Sequence, residues 1–198
     1  KIAAMARKAQ PGILIVDRTV HGPYENYQTP EQRVPDKKIN NPWESCITLG
    51  GAWGYVPNDV PKSASKVIAQ LIEVVAKGGS LLLGVGPKAD GTLQKDMVDR
   101  LYEIGEWMKA NGEAIYNTRT VDDYKDGNVY FTRSKDGKKK YALAIFEDNK
   151  PVPTSIEWQQ NLPAKNTVIK LLQTGEKLKW SLQNNKVVIK IPSAVINK

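Results

Sequence analysis

An α/β first part followed by an all-β second part is the fold class this sequence predicts, and three observations predict it. Two short, continuously apolar runs, Ile13 to Val16 and Leu81 to Leu83, read as strands covered on both faces, as in a parallel sheet. Two longer stretches, 63–77 and 94–111, carry apolar residues at helical spacing. From Tyr116 onwards the period shortens to that of strands, with Asp126-Gly127, Asp136-Gly137 and Thr174-Gly175 as turn signals. A chain of 198 residues has room for one sizeable core or two modest ones.

Taken in order, KIAAMARKA reads as an amphipathic helix stopped by Pro11 and Gly12. It lacks the apolar centre of a signal peptide, so the sequence is expected to start inside a domain. Ile13 to Val16 is the first strand, ended by Asp17 and Arg18. The stretch from Thr19 to Pro42 holds four prolines and few aliphatic residues. A loop of more than about 15 residues is usually functional or disordered, and the tyrosines and carboxylates here favour function. Glu44 to Leu49 is the next strand, after which Gly50, Gly51 and Gly54 loosen the backbone around Trp53.

Ser63 caps a helix that presents Val67, Ile68, Leu71, Ile72 and Val75 on one face and stops at Gly78 and Gly79. Ser80 to Val85 is a strand, and Pro87 to Gly91 a turn. A helix from Gln94 to Asn111 places Met97, Leu101, Ile104, Trp107 and Met108 together. Strands alternating with helices make an α/β unit. VYFTRS, KYALAIF, SIEWQQ, TVIKLL, LKWSLQ and KVVIKI then follow as strands of an antiparallel sandwich. The boundary falls between 1–117 and 118–198.

Several function classes drop out. A mean hydropathy of -0.46 with 40% hydrophobic residues argues against long disorder. Cys46 is the single cysteine and His21 the single histidine, so neither a disulfide scaffold nor a Cys/His zinc site fits. No serine sits in a GxSxG elbow, and GVGPKADG lacks the GK[ST] ending of a phosphate loop. No apolar run approaches the roughly 18–20 residues of a membrane span. The net charge is +8, of which +7 lies beyond Ile115. Only Lys138, Lys139 and Lys140 cluster, at a hairpin tip after Asp136-Gly137, which is no nucleic-acid footprint.

What remains is a concentration of aromatics and carboxylates between the first strand and the first long helix: Tyr24, Glu25, Tyr27, Glu31, Trp43, Glu44, Trp53 and Tyr55. Aromatic faces stack on sugar rings, and glycosidic cleavage needs two carboxyl groups flanking the bond. The competing reading makes the tryptophans core and the glutamates solvated. If the parallel sheet is the tail of a (β/α)8 barrel, Arg18, the loop after it, Trp53 and Gly86 all lie beyond strand C-termini, the face on which barrel active sites are built.

The succession LIVDRT, YENYQTPEQRVPD, PWESCITLGGAWGY, AKGGSLLLGVGPKADG and LYEIGEWMKANGEAIYNTR, over residues 1–119, closely resembles the α-L-fucosidases of glycoside hydrolase family 29. The resemblance implies the C-terminal part of a (β/α)8-like barrel followed by a β-sandwich. It also implies release of α-linked L-fucose from glycans with retention, using no metal or organic cofactor. The family's nucleophile is an aspartate in a WxDG-like segment, and no such segment occurs in this sequence. The expected partners are therefore a fucosylated glycan and the N-terminal half of the same enzyme, without which the chain is expected to be inactive. Members of this kind are commonly exported to extracellular or periplasmic space.

For the acid/base, Glu25 in PYENYQTPE is the first choice. Glu31, in the TPE triplet, is the second, because some members place the residue there. Glu44, at a strand start, is expected to brace loops. Arg18 matches an arginine that donates to sugar oxygens or to the nucleophile, and Trp53 an aromatic that packs on the C5-methyl face of fucose. Where many members read GGNLLLNVGP, Gly84 and Ser80 replace asparagines, and the loss at Gly84 is expected to alter packing or a hydrogen bond near the site. An independent glycan-binding sandwich bearing Trp158 and Trp180 is the alternative, as is a sandwich that only buttresses the barrel.

Overall fold

The computed structural model describes residues 1–16, 18, 22–148 and 150–193. Strand β1 (Glu44–Thr48) pairs in parallel with β2 (Ser80–Gly84), from Glu44 opposite Ser80 to Thr48 opposite Gly84. Parallel neighbours need a crossover, and α2 (Ala64–Ala76) supplies it, following α1 (Ile2–Ala9) at the start of the chain. The Ser63 hydroxyl accepts the Lys66 N–H at 3.2 Å, a cap worth about 1 kcal/mol. After the helix, Gly78 takes a φ of 88° that suits glycine. Helix α3 (Lys95–Asn111) then packs so that Leu49, Val67 and Met97 form a buried cluster flanked by Leu83, Leu101 and Ile104.

The strand expected at Ile13 to Val16 does not form. The Ile15 N–H donates to the Asn26 side chain at 2.9 Å and its carbonyl accepts the Asn26 N–H at 2.7 Å. Val16 makes one isolated bridge to Tyr27, and Leu14 is 70% exposed. A strand needs a ladder, and this segment is bonded to a loop instead. Helix α1 forms as expected but buries none of its residues. Among the described residues no helix is long and apolar enough to cross a membrane.

Among the described residues, the second part holds two three-stranded antiparallel sheets. One orders β3 (Thr118–Asp126), β4 (Val129–Ser134) and β5 (Lys140–Ala144) with β4 central. The other places β10 (Lys186–Lys190) between β6 (Ser155–Trp158) and β9 (Trp180–Gln183). Between β6 and β9 in sequence, the two-residue strands β7 (Ile169–Lys170) and β8 (Lys177–Leu178) pair with each other. Val129, Phe131, Trp158, Val187 and Ile189 form one buried cluster joining the two larger sheets. Phe131 and Trp158 meet edge to face, with centroids 5.8 Å apart. A further cluster, Ile72, Ala76, Ala114, Ile115, Tyr130 and Leu143, joins α2 to β4 and β5.

Strand β3 was not among the expected strands. Its charged sequence TRTVDDYKD hides the pattern, and its pairing with β4 shifts register between Thr120 and Lys125, so no clean alternation survives.

Glu113, in the short 3-10 turn after α3, is held by β5 and the residue before it. Its Oε1 accepts the Tyr141 hydroxyl at 2.9 Å and the Lys139 ammonium at 2.6 Å, and these bonds lower the Glu113 pKa. Burial first, and the Glu113 carboxylate second, push the Tyr141 phenol up from 10.0 to about 12. A group raised on folding contributes stability that is present below its unfolded value and lost as pH rises through its folded one. We therefore expect phenolate absorbance to show a late step near pH 12, and stability to decline from about pH 10 upwards. Tyr141→Phe should remove the late step and lessen the decline, to which Lys95, Lys125 and Lys139, also raised, contribute with the same sign, and an unchanged titration would contradict the contact.

Candidate active site

The segment after Tyr27 reaches the free edge of β1 and pairs with it as an irregular third strand. The Gln28 N–H donates to Pro42 O, Glu44 N–H to Gln28 O, Cys46 N–H to Pro30 O and Gln32 N–H to Cys46 O, at 2.8–3.0 Å. This alternation of donors is a parallel ladder, and it fixes Glu31 opposite Cys46. The loop that follows is tethered too. Ser45 Oγ donates to Arg33 O at 2.9 Å, and the buried Lys77 ammonium donates to Pro35 O and to Glu73 Oε1, both at 2.6 Å.

The Glu31 carboxylate is shared between two donors. The Trp53 indole Nε1 donates to Oε1 at 2.9 Å, and Arg18 Nη2 lies 3.4 Å from Oε2. Arg18 and Glu31 are both about half exposed, at 52% and 47% of their side chains, so the pair is open to solvent. Cys46 lies close by. Burial above all, then the Glu44 carboxylate, raises its thiol pKa, with Arg18 opposing and Glu31 adding to the rise. Trp53 rides on the loop beyond β1, which is pinned where the Gly51 N–H donates to Asp59 Oδ2 at 2.7 Å.

The structure thus brings Arg18, Glu31 and Trp53 together. Glu25 is engaged elsewhere: its carboxylate accepts the Gly22 N–H at 3.1 Å and the Gln28 amide at 2.8 Å, bracing the turn that leads into the ladder. His21 lies outside the described residues. Tyr24 and Tyr55 are exposed, Tyr27 is half buried, and Glu44 stands half buried at the head of β1. Trp43 is core, at 4% exposure, so for this residue the competing reading holds. Trp158 is also core, and Trp180 packs against the same cluster while donating its Nε1 to Thr167 O at 2.9 Å. Trp158 thus offers no free sugar platform, and Trp180 is half buried.

The Gln28 to Gln32 ladder and the Lys77 tether were missed from sequence. TPEQ does not look like a strand, and a lysine ahead of Gly78-Gly79 looks like an ordinary exposed helix end. Chemically, a carboxyl group held by an arginine and an indole, with an aromatic face alongside, can exchange a proton with a ligand oxygen while the indole covers an apolar face.

The protein-family model described as Alpha-L-fucosidase matches residues 1–113. The plasma alpha-L-fucosidase of Homo sapiens is 31% identical over 189 residues, covering 90% of this chain and 39% of that protein. The alpha-L-fucosidase of Dictyostelium discoideum is 42% identical over 117 residues, covering 57% and 25%. Among solved structures, alpha-L-fucosidase isoenzyme 1 from Paenibacillus thiaminolyticus superposes with a TM-score of 0.80 at 30% identity, over 98% of this chain and 49% of that one. The Thermotoga maritima alpha-fucosidase in complex with fucose gives 0.77 at 27% identity, over 98% and 44%. The chain spans less than half the length of each of these relatives. Its motifs, its match over more than half its length and its superposition agree that the chain belongs to the α-L-fucosidases, glycoside hydrolase family 29.

Proposed function

We propose that this chain forms one wall of a retaining α-L-fucosidase site in which Glu31 is the acid/base, Arg18 holds negative charge and Trp53 covers the apolar face of fucose. The observation that carries the reading is the clamping of the Glu31 carboxylate between Trp53 Nε1 and Arg18. Glu25 is the weaker candidate because its carboxylate is turned to its own loop, at Gly22 and Gln28, and meets neither Arg18 nor Trp53.

The parallel pair β1–β2, with Trp53 just past one C-terminal end and Gly86 just past the other, supports a segment of a (β/α)8-like barrel seen at its catalytic face. The antiparallel sheets after Asn117 support an accompanying β-sandwich. Retention requires a second carboxyl group about 5–5.5 Å from the first. No WxDG-like segment lies within residues 1–198, so the nucleophile comes from the N-terminal portion of the same enzyme, and residues 1–198 alone do not turn over. The substrate is a fucosylated glycan. The site of action is extracellular or periplasmic, and a relative named for plasma supports export.

The test is the stereochemistry of the first product. In the polypeptide that includes the N-terminal portion, proton NMR should show α-L-fucose appearing before its β-anomer. The β-anomer first, or no fucose at all, would overturn the proposal.

A further inference from the structure

Where β2 ends, the chain carries glycines at 84 and 86 against the loop that bears Trp53. Neither has a left-handed φ, so these glycines supply room and not an unusual backbone. A Cβ built on Gly84 would lie 2.5 Å from Cζ3 and 2.6 Å from Cε3 of the Trp53 indole. One on Gly86 would lie 2.3 Å from the Gly54 carbonyl carbon and 2.5 Å from the Tyr55 nitrogen. Carbon atoms in contact need about 3.5–4.0 Å, so any side chain at 84 drives the ring away by about 1 Å or more.

The ring has nowhere to go without a loss. Its Nε1 is committed to Glu31 at 2.9 Å, and its loop is held by Asp59 on one flank and by the Gln94 amide, 3.3 Å from Val56 O, on the other. A displacement of about 1 Å takes the N–H beyond hydrogen-bond reach of the carboxylate.

We propose that Gly84 is a positioning residue: its missing side chain seats the Trp53 indole so that the indole N–H holds the Glu31 carboxylate in place for proton transfer. This deepens, and rests on, the reading of Glu31 as the acid/base. An asparagine at 84 and an indole in this seat exclude one another on this backbone, so the Gly84–Trp53 pair sets the shape of this wall of the pocket in this chain.

The test uses the enzyme with its N-terminal portion. Gly84→Ala is expected to lower kcat/KM on fucosylated glycans about 10- to 100-fold, chiefly through kcat, as a misplaced catalytic contact does. The Trp53 indole N–H resonance, assigned by its absence in Trp53→Phe, should move in Gly84→Ala as it moves in Glu31→Gln. The double variant Gly84→Ala/Trp53→Phe should be no slower than Trp53→Phe alone, because the glycine acts only through the indole N–H, which phenylalanine lacks. Additive losses, or an unmoved indole resonance in Gly84→Ala, would overturn the proposal. Should Gly84→Ala fail to fold, Gly84→Ala/Trp53→Ala is expected to fold, the lost ring making space for the added methyl. Failure of both would also overturn it. A Glu31→Gln enzyme with full activity would defeat the acid/base reading alone, since the indole resonance reports the contact whatever the turnover.

Discussion

Glu31→Gln, made in the enzyme that carries both carboxyl groups, is expected to slow hydrolysis of natural glycans by about 10²- to 10⁴-fold in kcat/KM. A sugar alkoxide is a poor leaving group and needs its proton in the transition state, whereas an aryl oxide leaves without help. Aryl fucosides should therefore lose far less. Azide, which attacks the fucosyl-enzyme without a base, should restore turnover and give α-fucosyl azide. Glu25→Gln should cost less, and on both substrate types alike, since its bonds to Gly22 and Gln28 shape the loop. The reverse pattern, with azide rescuing only the Glu25 variant, would assign the role to Glu25.

Phe131→Ala should cost about 3–5 kcal/mol of stability, the usual range for emptying a buried aromatic site. Phe131 is 1% exposed on the central strand of its sheet and touches Trp158 across the gap. The cavity would open where β4 meets β6 and β10, among Val129, Trp158, Val187 and Ile189. Set against a total of about 5–15 kcal/mol for a typical domain, a loss of this size is a large fraction of the whole. Equilibrium urea denaturation measures this, with Phe131→Leu expected to keep most of the loss at bay. A cost below about 1 kcal/mol for Phe131→Ala would mean that the sheets do not share this core.

Much of the architecture was legible because it rests on local rules. Ser63 as a cap, the apolar faces of α2 and α3, the stop at Gly78 and the turns at Asp126-Gly127 and Asp136-Gly137 are written in short-range chemistry, and each stands where expected. Ile13 to Val16 failed because an apolar run states only what wants burial, while a strand also needs a neighbour to bond. Strand β3 was hidden by its own charges. In the proposed site, Arg18 and Trp53 came from the resemblance, and our preference for Glu31 over Glu25 rests on which carboxylate faces them. That is decided by a ladder across 14 or more residues of separation, from Gln28 to Pro42 and from Gln32 to Cys46, and no local pattern encodes it.

Helix α2 carries load in two directions at once. At its C-terminal end Lys77 holds the Pro35 carbonyl, the Ala76 carbonyl accepts the Thr120 hydroxyl at 2.6 Å, and Ile72 and Ala76 pack with Tyr130 and Leu143. Lys38, farther along the same loop, donates to the Val121 carbonyl. Anyone trimming this chain to its first part by cutting after Asn117 would strip the outer anchorage from the loop that presents Glu31. The appended sheets behave less like a removable passenger than like the far abutment of a bridge.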